Sequence, residues 1–330
     1  MYYILILEGI VMTRINDIFF SDIYITPEKT AYIPDNLTEN GLQIFEPTDF
    51  DNFYQLVESS YDGNSSYSIS YENTLFRVER SLTITGIQYC VRKMPQEVPD
   101  IATLGYRKDL VNYLVSLSNA SGLILWAGAT GSGKTTSISS LLKEFLFREG
   151  GFAYTIEDPS EMPLDGEYAA LNGSFGLCKQ TQPTNNNWGD CLKSALRSKP
   201  RYILVGEIRT PDAASECLRA ATSGHLVLST IHANNISDAI NSMVKYASSA
   251  DMSEDLAYDL LSRGLLAVMH QSLRGVGHKT PLLRFLFANP DTTKGCQVRS
   301  TIKSGKINLA TAIETQMTRL VQGRPIFENL

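Results

Sequence analysis

One stretch of the chain has the residue types and spacing to hold a polyphosphate: Gly128-Ala129-Thr130-Gly131-Ser132-Gly133-Lys134-Thr135, two glycines separated by four residues, then Lys and Thr. Glycines free the backbone N–H groups to close around an anion, and a helix beginning at the lysine adds its positive end. In that arrangement Lys134 reaches the β- and γ-phosphates and the Thr135 hydroxyl ligates Mg²⁺. A chance match arises on the order of 1% of the time in a chain this long.

Three other constellations bear on the same chemistry. Tyr202-Ile203-Leu204-Val205 is an apolar run ending at Gly206-Glu207. Beside a phosphate loop, a carboxylate at a strand end can polarise the attacking water as a general base. The competing reading is that Glu207 merely precedes a helix opened by Thr210 as cap and Pro211 in its first turn. Glu157-Asp158-Pro159-Ser160-Glu161 gathers carboxylates able to order metal-bound water, although a solvated acidic turn has the same composition. His225 and His232 flank the apolar run 226–231. Their odd separation puts them on opposite faces of one strand, which argues against a shared metal ion. Each can instead donate to phosphate oxygens or sense an acid partner, with a satisfied core histidine as the alternative.

These residues need elements to position them. Leu123-Ile124-Leu125-Trp126 reads as a buried strand before the loop, and Ile138, Leu141, Leu142, Phe145 and Leu146 recur at helical spacing after it until Gly150-Gly151. The repeat of strand, loop and helix that follows predicts a parallel sheet with covering helices. From about residue 237 the tail is expected to be mostly helical, with stripes at Ile240, Met243 and Val244, at Leu256, Leu260 and Leu261, and over 309–321. Residues 1–94 have a different, β-rich texture. Ile23 and Ile25 against Ala31 and Ile33 suggest a hairpin, Phe50, Phe53, Tyr54 and Val57 a helix capped by Thr48, and three more alternating runs pass through Tyr67-Ile69-Tyr71, Leu82–Ile84 and Ile87-Tyr89-Val91, with a Thr85-Gly86 turn between the last two. That is a small α+β domain with an antiparallel sheet. Two prolines and few core residues mark 95–107 as the linker to an α/β domain over 108–330.

Taken in order, GATGSGKTT (which ends in Thr135-Thr136), IEDPSE, ALR with ILVGEIR, and SGHLVLSTIHANN resemble the Walker A motif, Asp box, Walker B motif and His box of the type II/IV secretion ATPases. The resemblance is strong over roughly residues 105–275 and holds by layout alone before that. It implies a RecA-like P-loop C-terminal domain behind a PAS-like N-terminal domain, ATP and Mg²⁺ as cofactors, and a homohexamer at the cytoplasmic face of the inner membrane, docked on secretion or pilus machinery. Carried over by residue, it implies contacts from Gly128 to Thr136, catalytic acids at Glu207 and Glu161, and the histidine pair His225 and His232. It further implies an arginine acting on nucleotide, for which Arg77, Arg92 and Arg209 are the candidates. Gln271 falls where the family has an AQRL-like segment. Lys199-Pro200-Arg201 replaces the Asp-Pro-Asp of many members and resembles the DotB and TraJ branch of type IVB secretion and conjugation, with a PilT-like retraction motor as second choice. Gln180-Thr181-Gln182 lacks the acid often found in that segment.

The chain as a whole narrows the alternatives. Its 330 residues suffice for two domains with real cores, and a net charge of −6 gives no general attraction to nucleic acid. A DNA-translocating motor would want a basic channel, so nucleic acid is not favoured as a direct ligand. The five cysteines, at 90, 178, 191, 217 and 296, have no paired spacing for zinc and read as reduced thiols. The apolar opening Tyr2–Leu7 is too short to span a bilayer and has no basic flank, and Met12 is an alternative start. A scaffold that binds ATP without hydrolysing it remains a rival, opposed by the intact Lys134, Thr135 and Glu207.

Overall fold

The computed structural model describes residues 13–327 except 19, 36–40, 184–186, 250, 276–279 and 292. Both the Tyr2–Leu7 run and Met12 lie outside the described residues. Two compact units make up the chain, Met1–Gln96 and Glu97–Leu330.

In the first unit β1 (Asp22–Ile25), β2 (Ala31–Pro34), β3 (Leu42–Ile44), β4 (Ser66–Tyr71), β5 (Thr74–Thr83) and β6 (Gly86–Lys93) form an antiparallel sheet in the order β3-β2-β1-β6-β5-β4, with α1 (Phe50–Ser59) after β3. The expected hairpin pairs Ile25 with Ala31, and Phe53, Tyr54 and Val57 are buried on α1. The helix cap differs from the expectation, and β5 is longer than the expected run that ends it. Asp49, not Thr48, is the N-cap residue, and its carboxylate accepts from the Ile15 N–H and the Tyr71 hydroxyl, both at 3.0 Å, instead of from the helix. The run Leu82–Ile84 is the solvent-facing tip of the β5–β6 hairpin, with Leu82 81% exposed. The buried residues of β5 are Thr74, Phe76 and Val78, alternating with the partly exposed Leu75 and Arg77.

The second unit opens with α2 (Lys108–Ser116), then runs β7 (Gly122–Ala127), α3 (Lys134–Glu149), β8 (Gly151–Ile156), β9 (Gly166–Ala169), β10 (Phe175–Thr181), α4 (Trp188–Arg197), β11 (Tyr202–Glu207), α5 (Pro211–Thr222) and β12 (Leu226–Ile231). After these come α6 (Ile236–Ser248), α7 (Glu254–Gly264), β13 (Leu265–Arg274), β14 (Thr280–Phe287), α8 (Gln297–Lys303) and α9 (Ala310–Val321). Its sheet has the order β14-β13-β7-β12-β11-β8-β10-β9, parallel from β13 to β10, with an antiparallel strand at each edge. Helices cover both faces, so the inner strands are largely buried and mostly apolar. Leu123, Leu125, Ile203 and Val205 pack on one side, and Ile124, Trp126, Tyr202 and Leu204 on the other.

The tail departs from the mostly helical expectation at 265–287, where β13 extends the parallel sheet and β14 closes its edge. A run such as Leu265-Leu266-Ala267-Val268-Met269 carries no periodicity that separates a buried strand from a buried helix. Residues 97–107 are packed rather than bare. Val98 and Ile101 are buried in the core of the second unit, and the Lys143 ammonium donates to the Val98 carbonyl at 2.7 Å and the Asp100 carboxylate at 2.9 Å.

Candidate functional site

Parallel strands deliver their carboxyl ends to one edge of the sheet, where such folds bind ligands. Here the adjacent strands β7, β12 and β11 bring the phosphate loop, His232 and Glu207 to that edge. The loop depends on its glycines for space as well as for backbone angle. Gly128 has φ 151°, and a Cβ there would lie 2.3 Å from the Gln271 carbonyl oxygen; Gly133 has φ 84°, and its Cβ would lie 2.9 Å from Gln271 Nε2. Lys134 begins α3 with 7% of its surface exposed, and its ammonium donates to the Gly128 carbonyl at 2.9 Å and the Ala129 carbonyl at 2.8 Å. Burial lowers its pKa, while the carboxylates of Glu207 and Glu161 pull the other way.

The register of β11 against β12 slips between Val205 and Glu207, a bulge that redirects the end of the strand. Gly206 also makes room for Glu157, whose Cγ would lie 3.2 Å from a Cβ at 206. Glu157 is 2% exposed and accepts from the Gln180 amide at 3.0 Å, and its burial raises its pKa. Gln180 therefore answers the missing acid of that segment as a support: it also donates to the Met162 carbonyl and accepts from the Leu164 and Asp165 N–H groups. Glu207 pairs with Arg209 through Oε2. His232 Nε2 shares a 3.1 Å hydrogen bond with the Thr130 hydroxyl and lies 3.0 Å from Glu207 Oε1, a buried oxygen that this imidazole faces as an ion-pair partner and not in hydrogen-bond alignment.

A cavity of about 580 Å³ joins these groups. Thr130, Gly131, Ser132, Gly133, Lys134, Thr135 and Thr136 line one side, and Glu161, Glu207, Arg209 and His232 the other. Gly128 and Ala129 supply the carbonyls that hold Lys134 beneath it. His225 is not among them. It sits at the opposite end of β12, its Nδ1 bonded with the Pro200 carbonyl at 2.7 Å, because a strand that runs between two residues puts them at opposite edges of the sheet. The bracketing of a strand is as expected, but a shared place at one ligand is not. Arg77 and Arg92 belong to the first unit, opposite one another on β5 and β6, and the Arg92 guanidinium is paired with Asp22 at 2.9 Å. Glu157, named in the sequence only as part of an acidic run, also lines the cavity, together with Trp188 and Thr230. Glu157 shared the acidic run with Glu161, whereas Trp188 comes from the start of α4, with no motif to mark it. A second cavity of about 310 Å³ shares Gly133 and Thr136 with the first and is bounded by Tyr106, Leu273 and Pro281.

The parallel sheet, its glycine loop and the acids at neighbouring strand ends define a RecA-like P-loop domain behind a small α+β domain. Comparison with known proteins agrees. The family described as "Type II/IV secretion system protein" matches residues 60–323, and the chain belongs to that family. The competence protein ComGA of Halalkalibacterium halodurans is 34% identical over 194 residues, 58% of this chain and 51% of that one. The type II secretion system protein E of Klebsiella pneumoniae is 34% identical over 177 residues, 53% of this chain and 32% of that one. The chain thus spans about half, or less, of the length of these curated relatives. Among solved structures, the pilus retraction motor PilT with bound ADP superposes with a TM-score of 0.68 at 24% identity, covering 93% of this chain and 87% of that one. The ATPase DotB of Legionella pneumophila gives 0.65 at 19% identity, covering 92% and 88%. Both speak for the fold.

Proposed function

We propose that this protein is an Mg²⁺-dependent ATP hydrolase that works as a homohexameric ring and powers a type IVB secretion or conjugative transfer machine, docked through partner proteins at the cytoplasmic face of the inner membrane. The observation that carries the chemical part is the meeting of Lys134 with Glu207, a buried cation at a phosphate loop and a carboxylate that His232 and Arg209 hold at the same cavity. Phosphate oxygens would replace the two carbonyls as partners of Lys134, and loop N–H groups would hold the rest of the anion. Glu207 takes the proton of the attacking water as a general base, with His232 and Arg209 fixing its carboxylate. The residues fit an Mg²⁺–nucleotide complex: Ser132 keeps a buried, unpartnered hydroxyl in the loop, and Thr135 stands in the first turn of α3. The ion would be held by Thr135 with Glu161 nearby, and supplies charge neutralisation of the phosphates when bound. The nucleoside would pass over Gly133 and Thr136 toward the second cavity.

The membership of the family supports the secretion role, and Lys199-Pro200-Arg201 supports the type IVB branch within it. A pilus retraction motor is the second reading, favoured by the likeness to PilT. It changes the machine and not the chemistry. Among the described residues no helix is long and apolar enough to cross a membrane, which is consistent with docking through partners. Purified protein should release phosphate from ATP with Mg²⁺, and Lys134→Ala should abolish that release. Phosphate release that survives Lys134→Ala, in protein free of other ATPases, sinks the assignment.

A further inference from the structure

The side-chain amide of Gln271, on β13, is 3% exposed and joins three separate parts of the second unit. Its Oε1 accepts from the Trp126 indole N–H at 2.7 Å and from the Tyr106 hydroxyl at 2.7 Å, and the Ser137 hydroxyl lies 2.9 Å away. Its Nε2 donates to the Ser132 carbonyl in the phosphate loop at 2.7 Å. Chemistry fixes this orientation, because an indole nitrogen only donates and a peptide carbonyl only accepts. Tyr106 and Ser137 are also 2.6 Å apart, and Ser137 can donate to the Gly133 carbonyl at 2.8 Å. With the Tyr106 proton on Oε1, Trp126 and Tyr106 fill its two lone pairs and the Ser137 proton is left for the Gly133 carbonyl. Burial pushes the Tyr106 hydroxyl up to about 12, so it keeps the proton it shares.

The same residue shapes both ends of the loop. Its carbonyl oxygen occupies the space a side chain at Gly128 would need, and its Nε2 occupies the space a side chain at Gly133 would need. A loop that must present its N–H groups to an anion has no regular ladder to hold it, so its shape has to be imposed from outside.

We infer that Gln271 is a positioning residue for nucleotide: by bonding Ser132 while anchored to Trp126 and Tyr106, it holds the phosphate loop in its anion-binding shape and ties the loop to the segment through which the chain enters the second unit. This rests on the ATP reading above. Gln271 touches neither phosphate nor water in this role. Its loss therefore falls on the binding of nucleotide, not on the proton transfer at Glu207.

The test uses the full chain, a fluorescent ADP analogue, and steady-state hydrolysis of ATP. Gln271→Met keeps the length and apolar volume and removes both the donor and the acceptor. It should weaken ADP binding and raise KM for ATP by about tenfold, the scale of one lost buried hydrogen bond, while kcat falls by much less. Tyr106→Phe, which removes a single hydroxyl from a partly exposed side chain, should shift KM in the same direction by about threefold. Both are measured well below the melting temperature of each variant, where a purely stabilising role moves neither constant. Parent-like KM and ADP affinity in folded Gln271→Met overturns the inference; should that variant not fold, parent-like values in Tyr106→Phe do so. A drop in kcat with KM unchanged overturns it too. If the parent itself binds no ADP, it is the ATP reading that fails.

Discussion

At Gly206 the missing side chain lets Glu157 lie beneath the end of β11, and the slip in register there turns Glu207 toward the phosphate loop. The two carboxylates have opposite circumstances. Glu207 lines the cavity with cationic or protonatable partners, Arg209 and His232, at its two oxygens, whereas Glu157 is buried and held by the neutral amide of Gln180. Glu207→Gln keeps the shape and gives up the base, so it should bind ADP with parent-like affinity and lose turnover by about a hundredfold or more, read from phosphate release at saturating ATP. Parent-like turnover would make Glu207 a mere helix-start residue and pass the role of base to Glu161. The raised pKa of Glu157 has a consequence for stability, since its folded-state value lies above its unfolded one. The native state then favours the neutral acid, and the parent loses stability as pH rises from the ordinary carboxylate range through the raised value. Glu157→Gln, neutral throughout, should melt above the parent at pH 8, with the gap closing toward pH 4; an equal or lower melting point at pH 8 contradicts the burial argument. Lys134, Thr135 and Glu207 were legible because their spacing around glycines and an apolar run is itself the chemical requirement. His225 was misplaced because sequence distance does not say at which edge of the sheet a residue sits, and the structure puts β12 between it and the loop.

The strand–loop–helix from β7 to α3 positions the site and was the most legible element, since its apolar strand, glycine loop and helical stripe each state their own period. What the sequence did not disclose is the wall behind the loop. That wall is β13, which lies in the tail expected to be helical and which pairs in parallel with β7. Long-range pairing of this kind leaves no local signal. It makes Gly128→Ala a sharp test, because the new Cβ would fall 2.3 Å from the Gln271 carbonyl and the residue would have to keep φ at 151°. The expected result is loss of ADP binding together with a destabilisation of about 1–3 kcal/mol in denaturant unfolding. Binding and stability equal to the parent would mean that β13 does not press on the loop. In the first unit Leu82 marks only the exposed end of β5, whose buried part, residues 74–78, carries the polar Thr74 and the charged Arg77 among its apolar residues and so shows a weaker signal than the tip.

On the scale of the molecule, the second unit brings the phosphate loop, Glu207 and Glu161 to one cavity, and the ring proposed above would make such sites work together. The charge that develops on a transferred phosphoryl group usually needs an arginine, often from a neighbouring subunit. Arg209 is paired with Glu207 and Arg92 with Asp22, so either of these two, brought in trans, would exchange its carboxylate partner for phosphate. The measurement that bears most directly on a ring-forming ATP hydrolase is steady-state phosphate release in mixtures of parent and Lys134→Ala subunits at fixed total protein. Because an inactive site also fails to pass on its conformational step, activity should fall faster than the fraction of inactive subunits rises, and the specific activity of the parent alone should climb with concentration as rings assemble. Activity that falls in simple proportion to the inactive fraction, with a specific activity flat from dilute to concentrated protein, would show each chain hydrolysing ATP alone and would contradict the ring.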